Sequence, residues 1–231
     1  MLFRSVLVMD DHSEDETAAI VERLIAAARA RNPRLHAALL RSETLPEGWI
    51  GKTWACHQLS QAARGHFLLF ADADTVHAPG TVTAAVAFAL RTGSGLLSIW
   101  PRLVTATIGE KIVVPMIHFA CFVFSPLWLQ QWMQRNPARA KRGYLRRIAL
   151  ANGQFMFFTR ATYDAVGGHA AVRSHFVEDV VLGRRVAART RDGDRLFNCQ
   201  APKFSQVRMY QSFREVWNGF TRLIRAVGEG R

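Results

Sequence analysis

Apolar residues along this chain alternate between short unbroken runs and longer stretches with helical spacing. Residues 2–9, apolar except for Arg4 and Ser5, stop at Asp10-Asp11, and such a segment bounded by polar residues predicts a buried strand. Ser13-Glu14-Asp15-Glu16 has the form of a capping box, and Val21, Leu24, Ile25 and Ala28 behind it share one helical face. Asn32-Pro33 closes that helix. Residues 35–40 predict a second strand, 41–51 a loop rich in turn residues, and 52–64 a helix ended by Gly65. The run 67–71 predicts a third strand ending in Asp72-Ala73-Asp74-Thr75. A helix over 79–91 and a strand over 95–100 follow. Strand and helix in alternation predict an α/β fold with a doubly wound, mainly parallel sheet flanked by helices.

Between residues 112 and 134 the pattern changes. The segment contains no Asp, Glu, Lys or Arg and is dense in Phe, Val, Ile, Leu and Trp. About 20 apolar residues are enough to span a bilayer. Pro115, His118, Ser125, Pro126 and Gln130-Gln131 interrupt it, and Arg135, Arg139, Lys141, Arg142, Arg146 and Arg147 follow. An apolar segment with flanking Trp and a basic cluster fits one lying in the interface against anionic headgroups. A true span and a buried core helix are the other two readings. Beyond it, 154–159 predicts a strand, 160–166 a short helix ended by Gly167-Gly168, and 178–191 a helix. Short strands over 196–199 and 204–209 and an amphipathic helix over 212–227 complete the chain.

With 231 residues, 49% of them hydrophobic, the chain is long enough to bury a full core as one domain, and intrinsic disorder is excluded. A net charge of +12, from 30 basic and 18 acidic residues, favours a polyanionic neighbour: nucleic acid, anionic lipid or a phosphorylated substrate. Cys56, Cys121 and Cys199 are too far apart in sequence for a close-paired zinc site, and their odd number argues against a disulfide framework. They fit a reducing, cytoplasmic setting. The N-terminal run is too short, with the wrong flanks, for a signal peptide.

Candidate chemistry lies at four places. Asp10-Asp11 ends the first strand, Gly51-Lys52 opens a helix, Asp72 and Asp74 end the third strand, and Glu178-Asp179 opens a later helix. Ligands of open α/β sheets bind outside the carboxyl ends of the strands, so Asp72 and Asp74 face a crevice. Two carboxylates there suit Mg²⁺ or Mn²⁺, which takes further ligands from water and a diphosphate. Lys52 opposes the helix dipole unless it meets a phosphate. Capping accounts equally well for Asp10, Asp11, Glu178 and Asp179. For His77, His169 and His175 an ordinary turn or core position is the expectation, with a ligand role for His77 as the alternative.

In order and spacing these clusters resemble family 2 glycosyltransferases of the GT-A fold. The carriers are Asp10-Asp11-His12-Ser13-Glu14-Asp15-Glu16-Thr17, Pro46-Glu47-Gly48-Trp49-Ile50-Gly51-Lys52-Thr53-Trp54, Asp72-Ala73-Asp74-Thr75, Asn152-Gly153-Gln154-Phe155, Gly167-Gly168-His169 and Val177-Glu178-Asp179. The second of these is similar to the branch of bacterial carotenoid- and hopanoid-associated enzymes. The resemblance implies one GT-A domain over 1–231, with a membrane-interface insertion over 105–147. It implies transfer of one sugar from a UDP-sugar to a hydroxyl or carboxylate of an isoprenoid-type lipid, metal-dependent, inverting and non-processive. Asp11 would then contact the uridine with Asp10 beside it, Asp72 the ribose or base, and Asp74 the metal, while Lys52 would lie near the phosphates. Asp179 would be the catalytic base and Glu178 its neighbour.

Gln211, Arg214 and Trp217 would be acceptor or phosphate contacts. Glu215 stands where processive synthases have the Trp of Gln-x-x-Arg-Trp. The implied location is the cytoplasmic face of the cell membrane, with an anionic membrane surface as partner and no nucleic acid. The family's first strand has no counterpart here and the membrane helices of this branch do not follow, which implies a chain truncated at both ends. Rival readings are a receiver-type phosphoacceptor domain, whose acidic strand ends Asp10-Asp11 and Asp72 imitate, and a basic nucleic-acid-binding module.

Overall fold

Strand β1, Val6–Asp10, runs parallel to β2, Ala37–Arg41, with Val6 opposite Ala37 and Asp10 opposite Arg41. This computed structural model describes residues 5–135, 142–190 and 194–208, together with residues 215, 217 and 221. The connecting helix α1, Thr17–Arg31, has Glu16 at its N-cap with no side-chain cap bond. The expected capping box therefore does not form: the Asp15 carboxylate accepts the Thr17 N–H at 2.9 Å and Asp10 accepts that of Ser13 at 3.1 Å. Acids this close to the backbone take its donors locally, before the helix begins. No residue of α1 is fully buried, and Leu24 of its apolar face is exposed.

Four strands make the central sheet, in the order β3, β7, β5, β8. They are Phe67–Phe70, Met156–Thr159, Leu96–Trp100 and Leu196–Gln200. Strand β7 pairs antiparallel with both β3 and β5, whereas β5 and β8 are parallel. A third sheet, in the order β4, β9, β6, joins Thr75–His77, Ser205–Val207 and Arg102–Leu103, again with one antiparallel and one parallel pairing. The expectation of a mainly parallel GT-A sheet is thus corrected to mixed sheets. The cause lies in β7, which enters the sheet after a long excursion rather than through a right-handed crossover. Periodicity marks a strand but not its direction.

Alternation along β7 divides the core. Met156 and Phe158 pack with Leu68, Phe70 and Leu96 against α8, Glu178–Ala188, through Leu182 and Val186. Phe155 and Phe157 face the other way with Leu97 and Ile99, against Ala85 and Ala89 of α3, Thr81–Thr92. Helix α2, Gly51–Ala62, lies on the α8 side through Cys56, and α7, Arg160–Ala165, joins it through Tyr163.

The long apolar segment forms α4, Ile108–Phe124, and α5, Leu127–Arg135, which meet at Ser125-Pro126; α6, Arg142–Ile148, leads on to β7. Helix α4 has a capping box: Thr107 accepts the Glu110 N–H, and the Glu110 carboxylate accepts the Ala106 N–H at 2.7 Å. On α5, glutamines bond the open edge of β8. The Gln134 amide donates to the Leu196 carbonyl and accepts the Leu196 N–H, and Gln131 donates to the Asn198 carbonyl.

Phe158 sits at the crossing of β3, β5 and β7 with no exposed surface. Phe158→Ala is expected to cost about 3–5 kcal/mol, read as a lowered urea midpoint with an unchanged slope.

Candidate active site

The start of α2 is fastened to the chain just ahead of α8. The Ile50 N–H donates to the Arg173 carbonyl at 2.9 Å, and the Thr53 hydroxyl, fully buried, is shared between the Ile50 and Arg173 carbonyls at 2.8 and 2.7 Å. Lys52, between those two residues, reaches across to two carboxylates. Its Nζ lies 3.0 Å from Asp72 Oδ1, beyond the end of β3, and 3.0 Å from Glu178 Oε1, the first residue of α8. Three segments remote in sequence are joined by one ammonium group.

Asp179 completes the cluster. One of its oxygens accepts the Gly153 N–H at 2.8 Å and the other the Val180 N–H at 2.8 Å. A Cβ built on Gly153 would come within 3.3 Å of Asp179 Oδ2 and 3.5 Å of Lys52 Nζ, so a side chain there would press on Asp179 and touch Lys52. Asp11 is similarly placed at the other side of α2: its Oδ2 would lie 3.0 Å from a Cβ on Gly51.

Burial sets the electrostatics. It raises the pKa of Glu178, and the neighbouring Asp179 charge raises it further while Lys52 opposes the rise. Asp179 is raised chiefly by burial, against the pull of its two backbone N–H donors and Lys52. Burial disfavours the Lys52 ammonium, but Glu178 and Asp72 outweigh it and hold the lysine above its ordinary value. Cys56, beneath the cluster, is pushed up to about 12, mainly by burial. Its thiol is therefore a packing group and not a nucleophile at neutral pH. A carboxylate whose pKa is raised by burial accepts a proton more readily than an exposed one.

The other sequence candidates divide. Asp74 is exposed and accepts the Thr75 hydroxyl at 3.3 Å. Asp10 is buried, held below the usual carboxylate range by its bonds from Ser13, and lines a cavity of about 490 Å³ with Asp15, Glu22 and Arg41. It faces α1, while Asp11 faces α2. His77 joins β4 to β9 through Ser205 Oγ at 3.1 Å, and its ring meets Phe155 edge-on. His169 is fully buried, with Nδ1 2.8 Å from the Tyr163 hydroxyl and its ring against Phe70. The Nδ1 of His175 is buried, and its backbone N–H donates to Val172. Trp217 is exposed, whereas Gln211 and Arg214 lie outside the described residues.

Among the described residues no group of three or more His, Cys, Asp or Glu side chains gathers as a metal site. Asp72 and Asp74, two carboxylates on one turn, still fit a hard cation that draws its remaining ligands from phosphate and water. What the sequence reading missed is the Gly153 N–H. Its signal was the Asn152-Gly153-Gln154 turn directly ahead of a buried strand.

Comparison with known proteins bears on this arrangement. The profile of Glycosyl transferase family 2 matches residues 3–163, more than half of the chain. The chain belongs to that family. The match takes in Asp11, Lys52, Asp72, Asp74 and Gly153, and membership displaces the receiver-domain and nucleic-acid readings. A curated relative, 4,4'-diaponeurosporenoate glycosyltransferase of Staphylococcus haemolyticus, is 25% identical over 96% of this chain and 53% of its own length. The chain thus spans about half the length of the curated relative it matches.

Among solved structures, glucosyl-3-phosphoglycerate synthase of Mycobacterium tuberculosis, with Mn²⁺, UDP and glucosyl-3-phosphoglycerate, has a TM-score of 0.52 and 17% identity. It is covered over 96% of this chain and 67% of its own. S. aureus TarS 1-349 with UDP-GlcNAc has a TM-score of 0.50 and 17% identity, over 90% and 50%. At these identities the likeness is one of fold, an α/β Rossmann-like glycosyltransferase fold. The matched chains are longer than this one, and the mixed sheets correct the mainly parallel GT-A assignment.

Two outcomes follow from this geometry. Lys52→Met leaves Glu178 buried without its cation and is expected to lower stability by about 1–3 kcal/mol. Adding Glu178→Gln should recover part of that loss in urea titrations. His169 has its pKa lowered to about 3, first by burial and then by Lys52 and His57. A depressed folded pKa gives stability that is present above pH 6.5 and lost as pH falls towards 3. His169→Gln should therefore flatten the acid limb of the stability–pH curve between those values.

Proposed function

We propose that this chain transfers one sugar from a UDP-sugar to a hydroxyl or carboxylate of a lipid acceptor, inverting the sugar and releasing the acceptor after one addition. The observation that carries this reading is the Lys52 Nζ contact, 3.0 Å to both Asp72 and Glu178, with Asp179 beside them on the Gly153 N–H. It sets a cationic group and an anchored carboxylate of raised pKa next to each other at a strand end, where a diphosphate leaving group and an attacking acceptor would meet.

In this reading Asp11 binds the uridine with Asp10 near it, and Asp72 orients the ribose. Asp74 and Asp72 would hold Mg²⁺ or Mn²⁺, which when bound supplies positive charge against the departing diphosphate. Lys52 faces the phosphates with its ammonium. Asp179 takes the proton of an attacking hydroxyl at the oxygen now bonded to Gly153 N–H, and Glu178 keeps Lys52 in place. With a carboxylate acceptor no proton needs removal, and Asp179 orients the acceptor. Gln211, Arg214 and Trp217 stand as acceptor-side contacts.

The lipid acceptor is supported by the named substrate of the S. haemolyticus relative and by the apolar 28-residue stretch Ile108–Arg135. The whole chain is read as one catalytic domain, with 105–147 as its membrane-facing insertion at the cytoplasmic face.

Calorimetric titration of UDP-glucose and UDP-GlcNAc is expected to show binding that requires Mn²⁺ or Mg²⁺ and is lost in Asp74→Ala. Asp179→Asn should keep that binding while transfer falls about 10²–10⁴-fold. Absence of metal-dependent nucleotide binding would overturn the assignment.

A further inference from the structure

The stretch Ile108–Arg135 has a mean hydropathy of 2.0 in its most apolar window, and only 7% of that window is buried. A core helix of this composition would be covered. Instead Ile108, Ile112, Met116, Phe119 and Val123 are each 54–77% exposed. Their spacing of three and four residues sets them on one stripe of α4. The opposite side of the helix is held to the protein. Glu110 and Val114 are buried, and the Phe122 ring packs 5.1 Å from that of Trp100 in β5. Cys121, also on this inner side, lies within electrostatic reach of Asp179.

Both ends of the stretch are anchored to the same body. At the start, the Val104 N–H donates to Val207 of β9, and Glu110 meets Arg208 at 3.7 Å. At the end, Gln130 donates to the Ile148 carbonyl at 2.7 Å, and Gln131 and Gln134 bond the edge of β8. With its glutamines turned to the sheet, α5 carries Trp128 and Trp132 outward, 72% and 50% exposed. Helix α4 alone is about 25 Å long, short of the roughly 30 Å of a hydrocarbon core. A segment tied to one body at both ends is placed to lie along the protein surface.

We infer that α4 and α5 form an in-plane docking platform for an anionic lipid surface, with the α4 stripe entering the acyl boundary and Trp128 and Trp132 lying at headgroup depth. The inference develops the lipid-acceptor reading and rests on it for its purpose, though not for its geometry. Charge supports the choice of occupant: the chain carries +12, and exposed Lys111 and Arg135 flank the apolar stripe. Aromatic side chains with a polar edge prefer this depth, and an apolar stripe whose opposite side is packed on the protein can enter only the boundary of the bilayer. With Cys121 of α4 within electrostatic reach of Asp179, an acceptor held in the leaflet that faces the protein would meet the carboxylate cluster from the α4 side.

The test uses the chain with vesicles of phosphatidylcholine, with or without phosphatidylglycerol, in flotation and tryptophan quenching. Binding is expected to require the anionic lipid and to weaken with salt. Lipids brominated near the headgroup should quench more than lipids brominated near the chain end, and Trp128→Phe with Trp132→Phe should abolish that difference. Phe119→Asp, on an exposed position that leaves the fold intact by circular dichroism, should reduce vesicle binding about tenfold or more. Absence of vesicle binding, stronger quenching deep in the bilayer, or an unchanged pattern in the Trp variant would overturn the platform. A stable dimer that Phe119→Asp dissociates, without vesicle binding, would assign the face to a second copy of the chain. UDP-sugar binding, measured without vesicles, reports separately on the glycosyl-transfer reading.

Discussion

Carboxylates gathered in one half-buried pocket repel one another, and Lys52 is the cation that lets Asp72, Glu178 and Asp179 share theirs. Two like charges about 4 Å apart cost on the order of 4 kcal/mol at an effective dielectric of 20. A bridging ammonium 3.0 Å from two of the acids offsets that repulsion, and backbone N–H groups from Gly153 and Val180 steady the third. Much local structure serves this arrangement. Thr53 fixes the first turn of α2 to the chain before α8, Gly51 makes room for Asp11, and Gly153 leaves Asp179 free of a side chain that would press on it.

The mixed sheet is what brings the pieces to one end. Because β7 runs antiparallel between β3 and β5, the turn that precedes it, with Gly153, lies at the same edge as Asp72, which follows β3. A parallel β7 would have delivered Gly153 to the opposite end. The antiparallel direction therefore decides which backbone donor meets Asp179.

Several features were legible in the sequence for physical reasons. The run 95–100 is buried throughout and 67–70 buries Leu68 and Phe70 with Phe67 and Leu69 half-buried, so composition alone marks both as strands, and Asp72 and Asp74 stand out because acids rarely follow such runs for packing. The short strands Thr75–His77 and Arg102–Leu103 escaped notice, since two or three residues carry no period. The direction of β7 was equally invisible. Ser13 and Glu16 matched a capping box but are outcompeted by Asp10 and Asp15, which reach the backbone first. The true capping box, Thr107 with Glu110, opens the apolar segment, whose hydropathy dominates its sequence pattern. Glu178 and Asp179 could be read as acids at a helix start, but their meeting with Lys52 depends on a contact across more than a hundred residues.

The bonds from Gln134 to Leu196 have a further meaning. Strand β8 ends the central sheet, and an open strand edge presents a row of unpaired donors and acceptors to any other chain. The Gln134 side-chain amide, by donating to and accepting from one residue of that edge, copies the pairing of a neighbouring strand, and Gln131 extends it to Asn198. A helix thereby closes the sheet as a strand would, and β8 is shielded from edge-to-edge association with another copy of the protein.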